Sequence, residues 1–219
     1  APTGATAPAE RHAMNPTPRI YLASKSPRRR DLLRQIGVNF DVLTFRAGER
    51  GEDADVDETP LPDEAVERYV ERLALSKAQA GTRRVLWRKL LPRPVLSADT
   101  TLEVDGEIVG KPRDAAEAQA ILERLSGRRH RVLTAIAMSD GERTRSRLSV
   151  SEVAFRRLSE HDIRRYIATG EPFDKAGAYG IQGHAAIFVE EIRGSYSGIM
   201  GLPLFETAAL LEIFGHPVL

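Results

Sequence analysis

Residues 20–37, IYLASKSPRRRDLLRQIG, constrain this chain more than any other stretch. A short apolar run leads into a polar turn and then into an amphipathic helix. Ser26 suits the N-cap and Pro27 the first helical position. Leu32, Leu33 and Ile36 share one face, and Gly37 is a stop. A helix start offers unpaired backbone N–H groups and the positive end of the helix dipole. Arg28 and Arg29 add two guanidinium forks at the same place. The pattern is that of an anion site, with phosphate the first expectation. The same arginines also read as solvated first-turn residues, so other parts of the chain must decide.

Composition narrows what kind of protein surrounds this motif. The chain has 219 residues, 42% of them hydrophobic and 29% charged, enough for one packed domain. Its net charge of +1 gives no global pull toward nucleic acid or acidic membranes. It has no cysteine, which excludes disulfides, thiol nucleophiles and zinc–thiolate sites. The five histidines are scattered, without the HExxH spacing of a zinc site. No apolar run approaches the roughly 18 residues that span a bilayer.

The first 17 residues, rich in Ala, Pro and Thr and without periodicity, read as a disordered tail, leaving 18–219 as a single domain. Residues 40–45 alternate as a strand. Residues 48–62 form an acidic, turn-rich loop of mostly solvated carboxylates, one or two of which could reach a metal ion. Residues 63–80 read as a helix stopped by Gly81, and 82–94 as a basic connection in which Trp87 packs. Lys77 lies in line with the buried stripe of that helix, and snorkelling to the surface is its ordinary explanation.

Residues 95–98 predict a buried strand ending at Asp99-Thr100, the kind of place where open α/β sheets hold ligands. Residues 101–109 predict a hairpin around Asp105-Gly106, a type I′ signal. Residues 106–111 are superficially like a phosphate-binding loop, but the glycine spacing is one residue short and Pro112 replaces the required Ser or Thr. A helix follows at 114–126, with Asp114 and Glu117 as a capping box. Strands at 130–138 and 144–155 are joined by Ser-Asp-Gly, and Ser159 caps a helix to 169. Four glycines in 170–183 make a shaped loop, but their spacing is not that of a dinucleotide fingerprint. Residues 185–192 read as a strand, 194–201 as a flexible turn and 203–214 as a closing helix. The order predicts an α/β domain with a central mixed twisted sheet, flanking helices and a substrate cleft.

Arg28, Arg29, Lys77, Lys111 and Lys175 are cations at structured positions, and Asp99 and Glu49 are the carboxylates chosen to meet them. Such a set suits a polyphosphate with a divalent metal, since Mg²⁺ takes one or two carboxylates, waters and phosphate oxygens. No covalent nucleophile stands out, so direct attack by water is the economical chemistry, with a carboxylate as general base.

Five segments in order carry a family resemblance: LASKSPRR at 22–29, SADTTL at 97–102, GKP at 110–112, EPFDKAGAYGIQG at 171–183 and GLPLFET at 201–207. The chain resembles the Maf nucleoside triphosphate pyrophosphatases over nearly its whole length after the tail. The resemblance implies a Maf/ITPase-like fold and a cytoplasmic, metal-dependent (Mg²⁺ or Mn²⁺) hydrolase. That hydrolase splits a nucleoside triphosphate into monophosphate and pyrophosphate. A homodimer is also implied, as is a link to cell-division arrest and to the exclusion of modified nucleotides; no stable nucleic-acid partner and no membrane are expected. Asp99 corresponds to the proton acceptor. Ser24, Arg28, Arg29, Lys77 and Lys111 correspond to triphosphate-binding positions. Glu49 falls at the family's acidic loop position, a metal or water ligand, and Glu49 and Asp99 are the metal-ligand candidates. Arg28, Thr100 and Gln182 match the specificity positions of the dTTP/UTP-preferring branch. Lys25, Ser197 and Gly198 depart from the family pattern. The competing readings are a purine (ITP/XTP) pyrophosphatase, separable by a substrate panel, and a catalytically vestigial nucleotide- or RNA-binding regulator, suggested by the basic stretch 83–93.

Overall fold

A seven-stranded mixed sheet runs in the order β2 (Phe40–Val42), β1 (Ile20–Leu22), β3 (Val95–Val104), β5 (Arg129–Ser139), β6 (Thr144–Phe155), β7 (Val189–Arg193), with β4 (Glu107–Val109) paired to β3 beside β1. The computed structural model describes residues 18–44 and 56–219. The tail at 1–17 and the position of Glu49 lie outside the described residues. Strand β1 (Ile20–Leu22) pairs in parallel with β2 (Phe40–Val42) and with β3 (Val95–Val104). Beyond β3 the sheet turns antiparallel through β5 (Arg129–Ser139), β6 (Thr144–Phe155) and β7 (Val189–Arg193). The predicted mixed α/β sheet is therefore present.

Alternation along β3 and β5 sorts the helices onto two faces. Leu96, Ala98, Ile136 and Met138 face a core built with α1 (Pro27–Gln35) and α6 (Leu204–Ile213). Leu133, Ala135 and Ala137 face α2 (Val66–Trp87), whose Val70, Leu73, Ala74 and Ala78 are buried against them. A third cluster gathers β4 (Glu107–Val109), α3 (Ala115–Leu125) and α4 (Glu160–Ala168) around the far end of β3.

Several local readings need correction. The second helix begins at Val66 and runs to Trp87, where the sequence suggested 63–80 and a basic connection after it. Gly81 does not stop the helix. It is buried there because a Cβ would lie 2.6 Å from Val95 Cγ1, so the glycine lets α2 press onto β3. Trp87 is exposed at the helix end and does not pack. The strand expected to end at Ala98 continues to Val104, which puts Asp99 and Thr100 mid-strand. The β3–β4 hairpin is as expected: Asp105 and Gly106 both have positive φ, at 56° and 79°, as a type I′ turn requires.

Glu117 takes the Arg113 N–H, so the box at α3 closes one residue early, although Asp114 does accept from the Glu117 N–H. The box at α4 is complete, with Ser159 and Asp162 each bonding the other's backbone. Residues 185–188 form a 3₁₀ turn, and only Val189–Arg193 is strand. The expected flexible turn at 194–201 contains a short helix, α5 (Tyr196–Met200). Ser195 caps it and Ser197 Oγ accepts from the Leu204 N–H at 3.0 Å, so the small residues there tie the segment down.

Candidate active site

The position of the cleft follows from how β3 is paired. On one side β3 meets β1 only through Val95 and Leu96, and β4 only from Leu102 onward. Among the described residues no strand pairs with 97–101 on that side. A cleft of about 690 Å³ opens at this gap. Because successive side chains point to opposite faces, Asp99 looks toward α2 and Thr100 toward α1, so the cleft is reached from both sides of one strand.

Among the described residues six cationic side chains line it, Lys25, Arg28, Arg29, Lys77, Lys111 and Lys175, against the carboxylates of Glu58, Asp99 and Asp174. Every expected site residue that lies among the described residues, Ser24, Arg28, Arg29, Lys77, Asp99, Thr100, Lys111 and Gln182, comes to this cleft. Lys25 is exposed at its edge and adds positive charge.

On the α2 side, Lys77 does not snorkel to the surface. Its Nζ donates to Asp99 Oδ1 at 2.8 Å and to Glu58 Oε1 at 2.5 Å. Burial alone would pull the Lys77 ammonium down, but Asp99 and Glu58 outweigh it and hold its pKa above the ordinary value. Burial pushes Glu58 up, yet Lys77, and more weakly Lys111 and Arg29, bring its carboxyl below the usual range. Glu58 was missed in the sequence. The acidic loop was expected to send one or two carboxylates inward, but nothing in a run of similar side chains marks this one.

On the α1 side the arginines divide their work. Arg29 donates from Nε to the Gly201 carbonyl at 2.8 Å, from Nη1 to Ser24 Oγ at 3.2 Å, and from Nη2 to Thr100 Oγ1 at 3.1 Å. Burial lowers its pKa, with the Asp99 charge acting against that. Thr100 Oγ1 lies 2.9 Å from Thr134 Oγ1, and Thr134 donates to the Gly198 carbonyl at 2.7 Å. A carbonyl only accepts, so the Thr134 proton points to Gly198, the Thr100 proton to Thr134, and Arg29 donates to Thr100. Arg28 is freer, with one ion pair to Asp174 at 3.4 Å.

Ser26 does not cap α1, contrary to expectation; its backbone N–H donates to Ser24 Oγ at 3.2 Å. The first-turn N–H groups of α1 are thus not taken by a capping side chain, and Pro27, Arg28 and Arg29 line the cleft, where a helix start suits an anion. Ser24 Oγ already accepts from Arg29 and Ser26, which leaves its proton to donate.

The glycine-rich loop forms the opposite wall. Gly177, at φ 75°, presses onto β3, since a Cβ would fall 2.2 Å from Leu102 Cδ1. Beneath it Tyr179 meets the buried His130, 2.7 Å from Oη to Nε2, with Phe155 edge-on to both rings. Burial lowers His130 from its ordinary 6.5 to about 4. Lys175 is neutralised locally by Asp174 at 2.5 Å.

A mixed-sheet α/β domain with a cationic cleft across an interrupted strand edge, and the Asp99 and Glu58 carboxylates bound to Lys77 inside it, is built to bind a phosphorylated anion. The model of Maf-like proteins matches residues 19–214, and the chain belongs to that family. It is 72% identical over 200 residues to a protein of Aromatoleum aromaticum named dTTP/UTP pyrophosphatase, covering 91% of this chain and 97% of that one. Proteins with the same name from Dechloromonas aromatica and Ralstonia nicotianae are each 57% identical over 197 residues. They cover 90% of this chain and 98% and 94% of their own lengths. Among solved structures the Staphylococcus aureus Ham1 protein overlaps 63% of this chain and 72% of its own, at 22% identity and a TM-score of 0.43, too distant to inform the site. Among the described residues no helix is long and apolar enough to cross a membrane.

Proposed function

We propose that residues 18–219 form a pyrophosphatase that hydrolyses dTTP and UTP to the monophosphate and pyrophosphate. One observation carries the reading: Asp99 and Glu58 converge on Lys77 inside a cleft lined by six cations. The names of the 72% and 57% identical relatives support the same chemistry.

Asp99 serves as proton acceptor. Lys77 engages one of its oxygens and leaves the other for water. Water forms a new P–O bond at the α–β anhydride, the bridging bond breaks, Asp99 takes the proton, and pyrophosphate leaves. Ser24, Arg28, Arg29, Lys77 and Lys111, with the open first turn of α1, hold the triphosphate. The fixed cations meet the growing negative charge without reorganising, which is where electrostatic catalysis gains most. Arg28, Thr100 and Gln182 are the specificity positions. Thr100 has its proton committed to Thr134, so it offers a ligand only a lone pair. The Gln182 amide can both donate and accept.

A divalent cation belongs to this reading. Among the described residues no three His, Asp or Glu side chains gather as a closed metal cage. The hard carboxylate oxygens of Asp99 and Glu58 fit the open kind of site, in which Mg²⁺ or Mn²⁺ keeps waters and phosphate oxygens. Bound there, it would neutralise phosphate charge. A cytoplasmic homodimer remains part of the proposal.

The deciding experiment measures products from a panel of canonical, modified and purine triphosphates. Pyrophosphate from dTTP and UTP is expected. Orthophosphate as the first product, or preference for ITP, overturns it.

A further inference from the structure

The reaction above makes no use of Glu171, although its carboxylate is largely enclosed beside the cleft. Its Oε1 accepts from the Tyr166 hydroxyl at 2.8 Å, and that hydroxyl oxygen accepts from the Gly180 N–H at 3.2 Å. Its Oε2 accepts from the His184 N–H at 2.9 Å and lies 2.9 Å from His184 Nδ1. The two ends of the turn 180–184 therefore hang on one carboxylate, one directly and one through Tyr166. Ile181 and Gln182, between those ends, line the cleft.

Two further observations show that the turn is fitted to this group. A Cβ on Gly183 would fall 2.4 Å from Glu171 Oε2, so any side chain there would push the carboxylate out of its place under the backbone. Burial pushes the Glu171 carboxyl up, but the bonds from His184, Tyr166 and Ala185 bring its pKa below the ordinary value, which keeps it an acceptor on both oxygens. An anion at this place is needed because every neighbour facing it donates.

We infer that Glu171 is a positioning residue that sets the wall carrying Gln182, and so governs recognition of the nucleobase and not of the phosphates. This rests on the pyrophosphatase reading. The phosphate-facing cations lie on α1 and α2 and on the segment after β4, whereas Lys175, the cation beside this turn among the described residues, is spent on Asp174 and on the Glu171 carbonyl. A loosened turn would therefore blur the fit of the base and leave the phosphate end intact.

The test compares wild type with Glu171→Gln and Tyr166→Phe. An amide at 171 puts a donor against a donor on one side, whereas Tyr166→Phe removes the hydroxyl that joins Gly180 to Glu171 but keeps the ring and the His184 bonds. Hydrogen exchange at residues 180–184 should speed at least tenfold in Glu171→Gln and less in Tyr166→Phe. KM for UTP should rise about tenfold with kcat within threefold, while inorganic tripolyphosphate binds as in wild type. Unchanged exchange or unchanged KM overturns the inference, and so does an equal loss of tripolyphosphate affinity. If Glu171→Gln does not fold, Tyr166→Phe decides alone by the same readouts. A wild-type protein that splits no triphosphate overturns the pyrophosphatase reading, and the exchange rates still judge the clasp.

Discussion

Lys77 Nζ sits 2.8 Å from Asp99 Oδ1, joining the middle of a helix to the middle of a strand. The contact brings the ammonium and the carboxylate together at the stretch of β3 that, among the described residues, no strand covers on that side. It also fixes which Asp99 oxygen is free. Asp99→Asn keeps the shape and loses the charge, and Lys77 still has Glu58. Folding should survive while kcat falls by ~10²–10⁴, the usual contribution of a general base. Pyrophosphate release measured beside a thermal melt checks both halves. Near-normal turnover would remove Asp99 from its role.

Glu58 separates metal use from proton transfer. Glu58→Gln keeps a side chain of the same size but removes one of two hard anionic ligands. The Mg²⁺ concentration for half-maximal activity should rise about tenfold, with activity recovering at high metal, and chelation should silence both forms. A variant whose metal titration overlays wild type would dismiss Glu58 as a ligand.

Thr134 fixes the direction of the chain from Arg29 to the Gly198 carbonyl. Thr134→Val leaves the Thr100 proton without its acceptor, while the Gly198 carbonyl keeps the Gly201 N–H; an unpaired buried polar group costs roughly 1–3 kcal/mol. Urea melts should show that loss. KM for UTP should rise severalfold, and Thr134→Ser should restore both. Equal behaviour of the valine and serine variants would mean the hydroxyl does nothing.

Gly81→Ala is expected to destabilise the protein by roughly 1–3 kcal/mol through overpacking against Val95 Cγ1. Shortening the partner, in Gly81→Ala with Val95→Ala, should cost less than the sum of the two single changes. Additivity in denaturant melts would show that the contact does not limit helix approach.

His130 makes stability depend on acid. Its pKa is about 4 in the folded chain and near 6.5 when unfolded. Between those values the unfolded chain binds a proton that the folded one does not. Stability is therefore complete above pH 6.5 and declines as pH falls to about 4, by roughly 3 kcal/mol from this group. The stability-versus-pH slope in that window should flatten in His130→Phe, whatever that variant's absolute stability. An unchanged slope would assign the acid response to other groups.

Much of this site was legible because its residues sit at breaks in pattern. Arg28 and Arg29 at a helix start, and Lys77 on an apolar stripe, stand out by period alone. The acidic loop hid Glu58 among equivalent neighbours, since only the fold selects which carboxylate turns inward. Gly81 was misread for a related reason: a glycine that ends a helix and one that lets a helix touch a strand look the same in sequence. The interior of β3 was cut short at Asp99 because a polar triplet inside a buried strand is tolerated only where the sheet is open at its side. Thr134 and Gly198 carried no local signal, since their role depends on the register that sets Thr100 opposite Thr134.

The gap in the pairing of β3 has one more consequence. An uncovered strand edge invites foreign chains to add themselves to the sheet, and proteins guard such edges with charge and with depth. Here Lys77, Asp99 and Arg29 crowd the bare stretch, and the glycine-rich loop walls it in. The groups suited to hold a triphosphate also turn away stray polypeptide, so neutralising them would cost solubility as well as turnover.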